Sequence, residues 1–544
     1  MSEPVNGAAA VVEGLAAHGV RDVFGIPGTH NLELYRHLPA AGIRHVVTRH
    51  EQGAGYAADG YARVSRRPGV FLTTSGPGIT NAVTALATSY ADSVPTLAIS
   101  PGVPRGKVGA DIGWLHEVKS QQAALEAVCG ASVRVEQADD IPETVASLFE
   151  RLATGRPRPL HLEIPVDVLE EPWTRRPPVV RTPSAPFRPA AAATRALGSA
   201  LGAAQRPLVI AGGGARGATA QLAELAELGV PVLTTVNGKG VLDEAHPFSL
   251  GAGMRLQAAQ RACDAADVVL VVGSELGDSD LWGGRITPGV EGVRVIARVD
   301  VDPGQLHKNV PADIPVAGDS ACVLSDLLDL LRTSGADGRW RATWAEQLPG
   351  IRAAITAEAD RDAGPWAEIQ QVLRDALPAD VVVAGDRSQV TYYGTVHYWP
   401  FGPANRLLYP TGYATLGYGL PAAIGALTAE PRRPVVALVG DGAALFSIQE
   451  LLTATEQRLA LPVVVVDNGG YGEIREQMLD RGISPVAVDL HTPDFAALAR
   501  SVGARGVMAT DVADLGPLAA DALQADRPTL IHYRVDGRAV SPDR

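Results

Sequence analysis

Short runs of β-branched and aliphatic residues recur along the chain, each followed by a glycine-rich turn and then by an alanine- and leucine-rich stretch. The runs are continuously apolar, as buried parallel strands are, and do not alternate between apolar and polar positions. Strand, turn and helix in repetition predict α/β layers. Five such strands are predicted at 70–74, 207–211, 268–272, 435–439 and 463–466.

Two stretches without a strand pattern divide the chain. Residues 172–190 are rich in proline and arginine, and residues 335–364 mix glycine, tryptophan, alanine and charged residues. They predict three domains near 1–180, 190–335 and 360–544, a reasonable number for 544 residues. The predicted fold class is α/β, with a doubly wound parallel sheet in each domain.

Composition narrows the class of protein. A content of 46% apolar and 20% charged residues indicates a globular protein. The net charge of −13 argues against a nucleic-acid or membrane partner. Three scattered cysteines (Cys129, Cys263 and Cys322) suit free thiols in a reducing compartment. The first residues lack a signal-peptide pattern, and no apolar run reaches about 18 residues. We therefore expect a cytoplasmic protein.

A candidate metal site follows two of the predicted strands. The strand at 435–439 runs into Gly440, Asp441 and Gly442, and a later strand ends just before Asn468. Carboxyl ends of parallel strands hold ligands, and glycines let the backbone approach a phosphate. Oxygen ligands from Asp441, Asn468 and a nearby carbonyl would suit Mg²⁺. The alternative is that Gly-Asp-Gly forms an ordinary turn, and this is the better interpretation if the tripeptide is considered without its neighbours.

This arrangement resembles the metal motif of the thiamine-diphosphate enzymes. The resemblance implies that Asp441 and Asn468 bind Mg²⁺ through their side chains and Gly470 through its carbonyl. That family often has a second asparagine where this chain has Asp467, a departure that we expect to be minor because the following asparagine supplies the ligand.

A glutamate in the first block resembles the family's activating carboxylate. Glu51 begins the small-residue segment 49–63, where it could simply cap a helix. By resemblance it hydrogen-bonds the aminopyrimidine ring of the cofactor and drives the tautomerism that removes the thiazolium C2 proton. In the family this glutamate meets the cofactor held by another subunit, so the resemblance implies a homodimer or homotetramer with interfacial sites.

The resemblance extends to the loops at 24–30, 74–81 and 411–421. It implies catalytic roles for Thr29 and His30 and an apolar wedge at Leu416 that bends the cofactor, although Leu416 could be an ordinary core residue. The cofactor-binding residues that it implies are Glu51, Thr74, Pro77, Asn81, Ser388, Ala414, Leu416, Gly440, Gly442, Ala443, Ala444 and Tyr471.

The middle block carries a rival motif. The segment 212–217 fits G-x-G-x-x-G after a predicted strand, but the next strand, 230–235, does not end in the acidic residue that a dinucleotide site needs. Acetolactate synthases hold FAD in the corresponding domain. We favour a structural use of these glycines; FAD is possible but not favoured, and other nucleotides stay open.

Two further residues bear on the reaction and the substrate. The whole chain resembles the acetolactate-synthase-like branch, but His116 lies in the segment 113–117, where many acetolactate synthases have Ala-Phe-Gln-Glu. A histidine there could transfer protons near neutral pH, or be structural. Glu473 and Gln477 lie four apart on one predicted helical face, and a carboxylate there would suit a guanidinium substrate tail. The alternatives for Glu473 are solvation or pairing with a nearby arginine.

Several segments resemble 5-guanidino-2-oxopentanoate (2-ketoarginine) decarboxylases, among them 25–28, 49–55, 115–117, 471–474 and 489–495. The predicted function is therefore thiamine-diphosphate- and Mg²⁺-dependent decarboxylation of a 2-oxo acid through a C2 carbanion and an enamine, with 5-guanidino-2-oxopentanoate as the candidate substrate. One alternative is carboligation of the acetolactate-synthase type, which forms acyloins. The alternative from another class is a non-catalytic nucleotide-binding paralogue.

Overall fold

The computed structural model describes residues 5–181, 185–281, 295–333, 335 and 339–535. Within them the chain forms three six-stranded sheets, and the neighbouring strands pair in parallel. Helices cover the sheets, because continuously apolar strands need both faces buried. The predicted α/β fold with three parallel sheets is confirmed.

The first sheet has the strand order β2-β1-β3-β4-β6-β5. Its strands are β1 (Asp22–Gly25), β2 (Arg44–Val47), β3 (Gly69–Leu72), β4 (Thr96–Gly102), β5 (Ala131–Arg134) and β6 (Leu160–Pro165). The helices of this domain are α1 (Gly7–Ala17), α2 (Leu32–His37), α3 (Glu51–Ser65), α4 (Pro77–Asn81), α5 (Val83–Ala91), α6 (Gln121–Glu126), α7 (Ile141–Ala153) and α8 (Val166–Glu170).

The middle sheet has the order β12-β11-β10-β7-β8-β9. Its strands are β7 (Pro207–Ala211), β8 (Val232–Thr234), β9 (Ser249–Gly251), β10 (Val268–Val272), β11 (Val295–Asp300) and β12 (Ile314–Ala317). Its helices are α9 (Ala191–Ala203), α10 (Thr219–Glu227), α11 (Gln257–Ala265), α12 (Asp278–Leu281) and α13 (Ser320–Thr333).

The segment predicted as the second linker folds onto this middle domain. It forms α14 (Arg339–Ala345) and α15 (Leu348–Ala363). Trp340 and Trp344 of α14 are fully buried in the core of the middle sheet. Their indole N–H groups donate to the carbonyls of Ala204 and Pro207, each at 3.0 Å, so both polar atoms are satisfied in the core.

The third sheet repeats the topology of the first, with the order β14-β13-β15-β16-β18-β17. Its strands are β13 (Val382–Gly385), β14 (Arg406–Leu408), β15 (Val435–Gly440), β16 (Pro462–Asp467), β17 (Arg505–Ala509) and β18 (Thr529–Arg534). Its helices are α16 (Trp366–Ala376), α17 (Gly419–Ala429), α18 (Asp441–Ala444), α19 (Glu450–Glu456), α20 (Gly472–Asp480), α21 (Phe495–Ser501) and α22 (Leu515–Ala522). A π-helix spans Val390–Thr395.

Helix α3 of the first domain packs directly on α17 of the third. Cβ atoms added at Gly60 and Gly425 would lie 2.2 Å from the carbonyl oxygen of Ala422 and 1.9 Å from that of Ala57. The two backbones can approach this closely only because these positions are glycine. The packing fixes α3, which begins with Glu51, against the third domain.

None of the helices in the described residues combines the length and the apolar character that crossing a bilayer requires.

Candidate active site

The predicted metal ligands converge at the carboxyl edge of the third sheet. β15 and β16 are neighbours, so Asp441 and Asn468 emerge side by side. One end of the Asn468 side-chain amide lies 3.1 Å from Asp441 Oδ1 and 2.9 Å from the Gly470 carbonyl oxygen. Asp441 Oδ2 is buried and accepts no hydrogen bond from the described residues. With the amide oxygen turned toward Asp441, the carboxylate, the amide and the Gly470 carbonyl present oxygen atoms to one another, which fits a hard cation such as Mg²⁺.

Asp467 has other partners than the cation ligands. Its Oδ2 lies 3.0 Å from Nε2 of the fully buried His532 and accepts from Thr492 Oγ1 at 3.0 Å. Burial raises the pKa of Asp467, but these hydrogen bonds outweigh burial and bring it to about 2. Burial and then the charge of Asp467 raise the pKa of Asp441 to about 6. Asp467, which stands where the family often has asparagine, thus belongs to a hydrogen-bond network next to Asp441 and Asn468.

A cavity of about 330 Å³ opens beside these ligands. Gly442 leaves room in its wall, since a Cβ there would lie 3.0 Å from the Tyr471 ring. The Gly440 N–H donates to Ser388 Oγ at 3.0 Å. The predicted residues that line the cavity are Ser388, Ala414, Leu416, Gly440, Asp441, Gly442, Ala443, Asn468, Gly470, Tyr471, Glu473 and Gln477. Ala444 is buried and does not line it.

The loop before α17 contributes two of these residues. Ala414 adopts a left-handed backbone conformation with φ of 55°, which is unusual without a glycine. Leu416 is half-buried and faces the cavity. Between them, Thr415 Oγ1 lies 2.8 Å from the Tyr56 hydroxyl of the first domain, which ties the loop to α3.

Glu51 lies in a separate group of residues in the first domain. It is 9% exposed, and Asn81 Nδ2 donates to its Oε2 at 3.0 Å. Its other oxygen lies 3.4 Å from where a Cβ on Gly78 would be, so this glycine keeps the space beside the carboxylate open. Nearby in the same loop, Thr74 Oγ1 is buried without a partner among the described residues. Pro77 begins α4 and is exposed.

Ser75, which the sequence did not single out, bridges the two predicted catalytic histidines. His30 Nδ1 lies 2.6 Å from Ser75 Oγ, and Ser75 Oγ lies 3.3 Å from His116 Nδ1. Burial and then the neighbouring His116 lower the pKa of His30. His116 has a φ of 66°, a strained conformation for a histidine. Thr29, beside His30, is exposed.

The predicted site residues therefore form two groups within one chain. One group surrounds Asp441 in the third domain, and every residue that lines its cavity belongs to that domain. The other group contains Glu51, Asn81, His30 and His116 in the first domain, and none of them lines that cavity.

A cage of neutral donors surrounds Glu473 at the cavity wall. Its Oε2 accepts from the Tyr392 hydroxyl at 2.7 Å and from the Tyr393 hydroxyl at 3.1 Å, and its Oε1 accepts from Gln477 Nε2 at 3.0 Å. Both tyrosines lie on the π-helix and are buried. Burial and then the Glu473 charge raise the pKa of Tyr392 well above its usual value. The nearby Arg475 pairs with Asp489 instead, at 3.0 Å.

Family models match all three domains. The N-terminal and C-terminal TPP-binding domains of thiamine pyrophosphate enzymes match residues 5–125 and 389–533, and the central domain of the same enzymes matches residues 194–327. The chain belongs to the thiamine pyrophosphate enzyme family. Thiamine pyrophosphate is the thiamine diphosphate named above, so the predicted family and, of the predicted cofactors, thiamine diphosphate are confirmed.

Curated relatives narrow the branch. A probable 2-ketoarginine decarboxylase of Pseudomonas aeruginosa is 42% identical over 505 residues, which are 91% of this chain and 88% of the relative. A probable acetolactate synthase large subunit of Methanocaldococcus jannaschii is 32% identical, over 99% of this chain and 93% of the relative. The large subunit of acetolactate synthase isozyme 3 of Escherichia coli is 33% identical, over 98% of this chain and 96% of the relative. This thiamine pyrophosphate enzyme is a 2-oxo-acid decarboxylase or carboligase.

The central domain of this thiamine pyrophosphate enzyme contributes to a second cavity, of about 450 Å³, where the three domains meet. After β7 the glycine-rich segment forms a 3-10 helix, Gly213–Ala218, before α10 begins. A Cβ on Gly212 would lie 2.2 Å from the Gly273 carbonyl oxygen, so this glycine is needed to pack the turn against the loop after β10. Five arginines line the cavity: Arg63, Arg66, Arg156, Arg216 and Arg406.

Proposed function

We propose that this chain is a thiamine-diphosphate- and Mg²⁺-dependent decarboxylase of a 2-oxo acid with a cationic side chain, and that 5-guanidino-2-oxopentanoate is its substrate. The single observation that carries the proposal is the Glu473 carboxylate, held by neutral donors in the wall of the cavity that contains Asp441. The name of the Pseudomonas aeruginosa relative supports the same substrate.

The cofactor would lie against residues of both groups. Asp441, Asn468 and the Gly470 carbonyl would bind Mg²⁺, and the backbone at Gly440 and Gly442 would approach the diphosphate. Thiamine diphosphate supplies, when bound, a nucleophilic carbon and a ring that accepts the electron pair left by departing CO₂. Glu51 would exchange a proton with the aminopyrimidine through Oε1, while Asn81 holds Oε2 in place at 3.0 Å.

The two histidines favour decarboxylation as the outcome. Conversion of a 2-oxo-acid anion to an aldehyde and CO₂ consumes one proton, which ends on the carbon that lost CO₂. Carboligation also consumes one proton, but there that carbon forms a carbon–carbon bond and the proton ends on an oxygen, so only aldehyde formation needs a donor at the carbon. His30, Ser75 and His116 form a hydrogen-bonded series that can deliver it. Carboligation is the second candidate, because the acetolactate synthase relatives match nearly the full chain.

The Glu473 cage would select the substrate by charge. The tyrosine and glutamine donors are neutral, so none of these three hydrogen bonds pairs the carboxylate with a cation. A guanidinium is planar and pairs well with a carboxylate, and it can also stack on an aromatic face. An uncharged 2-oxo acid such as pyruvate would leave this carboxylate without a cation.

We propose that two chains complete each site. Within one chain, Glu51 and the histidines do not line the cavity that holds Asp441. A homodimer, or a tetramer built from such dimers, would bring the first domain of one chain to the third domain of its partner. The arrangement would also cover exposed apolar residues of both groups, such as Leu115 and Ile474.

We propose that the glycines of the central domain are structural. The support is the close contact of Gly212 with the Gly273 carbonyl.

Replacing Glu51 by Gln tests the proposed function. The variant should keep the fold and bind the cofactor but release CO₂ from 5-guanidino-2-oxopentanoate at least about 100-fold more slowly, because the group that moves the proton is lost. CO₂ release at the wild-type rate would rule out the proposed role of Glu51.

A further inference from the structure

A buried glutamate of the third domain holds the segment just before Glu51. Glu450, the first residue of α19, is fully buried. Its Oε1 accepts from the backbone N–H groups of Arg49 and His50, each at 3.0 Å. Its Oε2 accepts from Thr453 Oγ1 at 2.7 Å. The third domain therefore contacts, through one carboxylate, the two residues that precede the catalytic glutamate.

The first turn of α3 has space for this carboxylate. A Cβ added at Gly53 would lie 2.4 Å from Glu450 Oε1, closer than any side chain allows. A glycine inside a helix weakens the helix relative to alanine, so the position serves the contact and not the helix itself. Glu450 and Gly53 fit together as one interdomain contact.

Hydrogen bonds and the charge of Arg49 offset part of the effect of burial on Glu450. Burial raises its pKa to about 7, while the hydrogen bonds from Thr453, Arg49 and His50 act to lower it. The side chain of Arg49 pairs instead with Glu456, at the exposed end of the same helix α19. Two glutamates of α19 thus reach the same segment, one through buried backbone contacts and one through a surface ion pair.

We propose that Glu450 is a positioning residue for Glu51: by fixing the backbone of Arg49 and His50 it sets where the catalytic carboxylate begins α3. The inference rests on the proposed function and deepens it. Asp441 lies in the same segment of the third domain, upstream of Glu450. In the proposed dimer, one segment would therefore bind the metal of one site and position the activating glutamate of the other.

Three variants separate this role from simple stability. Glu450→Gln keeps the shape but replaces a charged acceptor by a weaker, neutral one. Gly53→Ala leaves Glu450 in place but displaces its Oε1, while favouring the helix itself. Glu456→Gln is the matched control, because it removes the exposed partner of Arg49 from the same helix.

Two measurements are made on each protein. The first is amide hydrogen exchange of the cofactor-free protein in the peptide that covers residues 46–54. The second is the rate at which the thiazolium C2 proton of the bound cofactor exchanges with deuterium, read by NMR after an acid quench and compared at equal cofactor occupancy. The second needs no substrate, so it does not depend on which 2-oxo acid the enzyme uses.

Glu450→Gln and Gly53→Ala should each speed amide exchange in this peptide and slow C2 exchange, both about tenfold, with the control at wild-type rates. Wild-type rates in a folded Glu450→Gln or Gly53→Ala protein would overturn the inference. If one of these two variants fails to fold, the two exchange rates of the other variant decide whether the inference holds. The proposed function fails separately if Glu51→Gln exchanges the C2 proton as fast as wild type.

Discussion

The Tyr392 hydroxyl donates a 2.7 Å hydrogen bond to the Glu473 carboxylate at the wall of the cavity that contains Asp441. The two residues come from different elements, the π-helix Val390–Thr395 and α20. The tyrosine holds the carboxylate in one orientation without neutralising it. A substrate that enters the cavity therefore meets a fixed negative charge, and the first prediction follows from it.

Removing this charge should reverse the preference between substrates. We expect Glu473→Gln to lower kcat/KM for 5-guanidino-2-oxopentanoate about 10- to 100-fold, because a charged hydrogen bond to the guanidinium is lost. Uncharged 2-oxo acids should be used as well as before or better. Steady-state kinetics on both substrates check this.

Tyr392→Phe serves as the companion variant. It keeps the ring and the charge but frees the carboxylate, so its effect on the guanidino substrate should be smaller than that of Glu473→Gln. An equal loss for charged and uncharged substrates in Glu473→Gln would mean that this residue does not select by charge.

The histidine series should decide the product. Ser75→Ala breaks the link between His30 and His116 while leaving both rings in place. We expect slower aldehyde release, by about tenfold, and a larger share of acyloin when a second carbonyl compound is supplied. Chromatography of both products measures the ratio. An unchanged rate of aldehyde release and an unchanged ratio of aldehyde to acyloin would show that Ser75, His30 and His116 do not deliver the proton.

Mixing two inactive variants tests the shared site. A chain with Glu51→Gln and a chain with Asp441→Ala each lack one group of the site. In a mixed dimer one site carries both changes and the other carries neither, so about a quarter of wild-type activity should return after subunit exchange. No return of activity, with mixed dimers present by native mass spectrometry, would mean that each chain builds its own site.

Buried neutral histidines should make the fold sensitive to acid. Burial lowers the pKa of His161 to about 3, far below that of an exposed histidine. Below about pH 6.5 the unfolded chain gains a proton that the folded chain does not bind until about pH 3. The free energy of unfolding should therefore fall by up to about 1.4 kcal/mol per pH unit for this group as the pH decreases.

His161→Gln isolates that contribution. Glutamine can still bond Ser100 and Ser132, which flank the ring at 2.8 and 2.7 Å. Denaturant titrations over the range of about pH 7.5 to about pH 5 should show that the free energy of unfolding of the variant depends less steeply on pH. Parallel slopes would mean that His161 is not the group that titrates.

The meeting of Asp441 and Asn468 at one edge of the sheet could be predicted from the sequence because its signal is local. Asp441 and Asn468 each follow a continuously apolar strand, and parallel neighbours bring such ends together. The rule requires only that β15 and β16 be adjacent, which the structure confirms.

The partners of the charged residues could not be predicted, because they come from distant parts of the chain. Solvent and a nearby arginine were the alternative partners for Glu473, and in the structure its carboxylate accepts hydrogen bonds from two tyrosines of the π-helix. Asp467, where the family often has asparagine, bonds the buried His532 on β18. No periodicity links such positions, because only the packing of the sheet brings them together.

The proposed substrate and reaction are tested together by the rates of CO₂ release from 5-guanidino-2-oxopentanoate and from pyruvate, measured with thiamine diphosphate and Mg²⁺ and with the organic product identified. We expect CO₂ release from the guanidino acid with one aldehyde per CO₂, and a kcat/KM at least about tenfold above that for pyruvate. A preference for pyruvate with acyloin as the main product would contradict this expectation and would make the enzyme a carboligase.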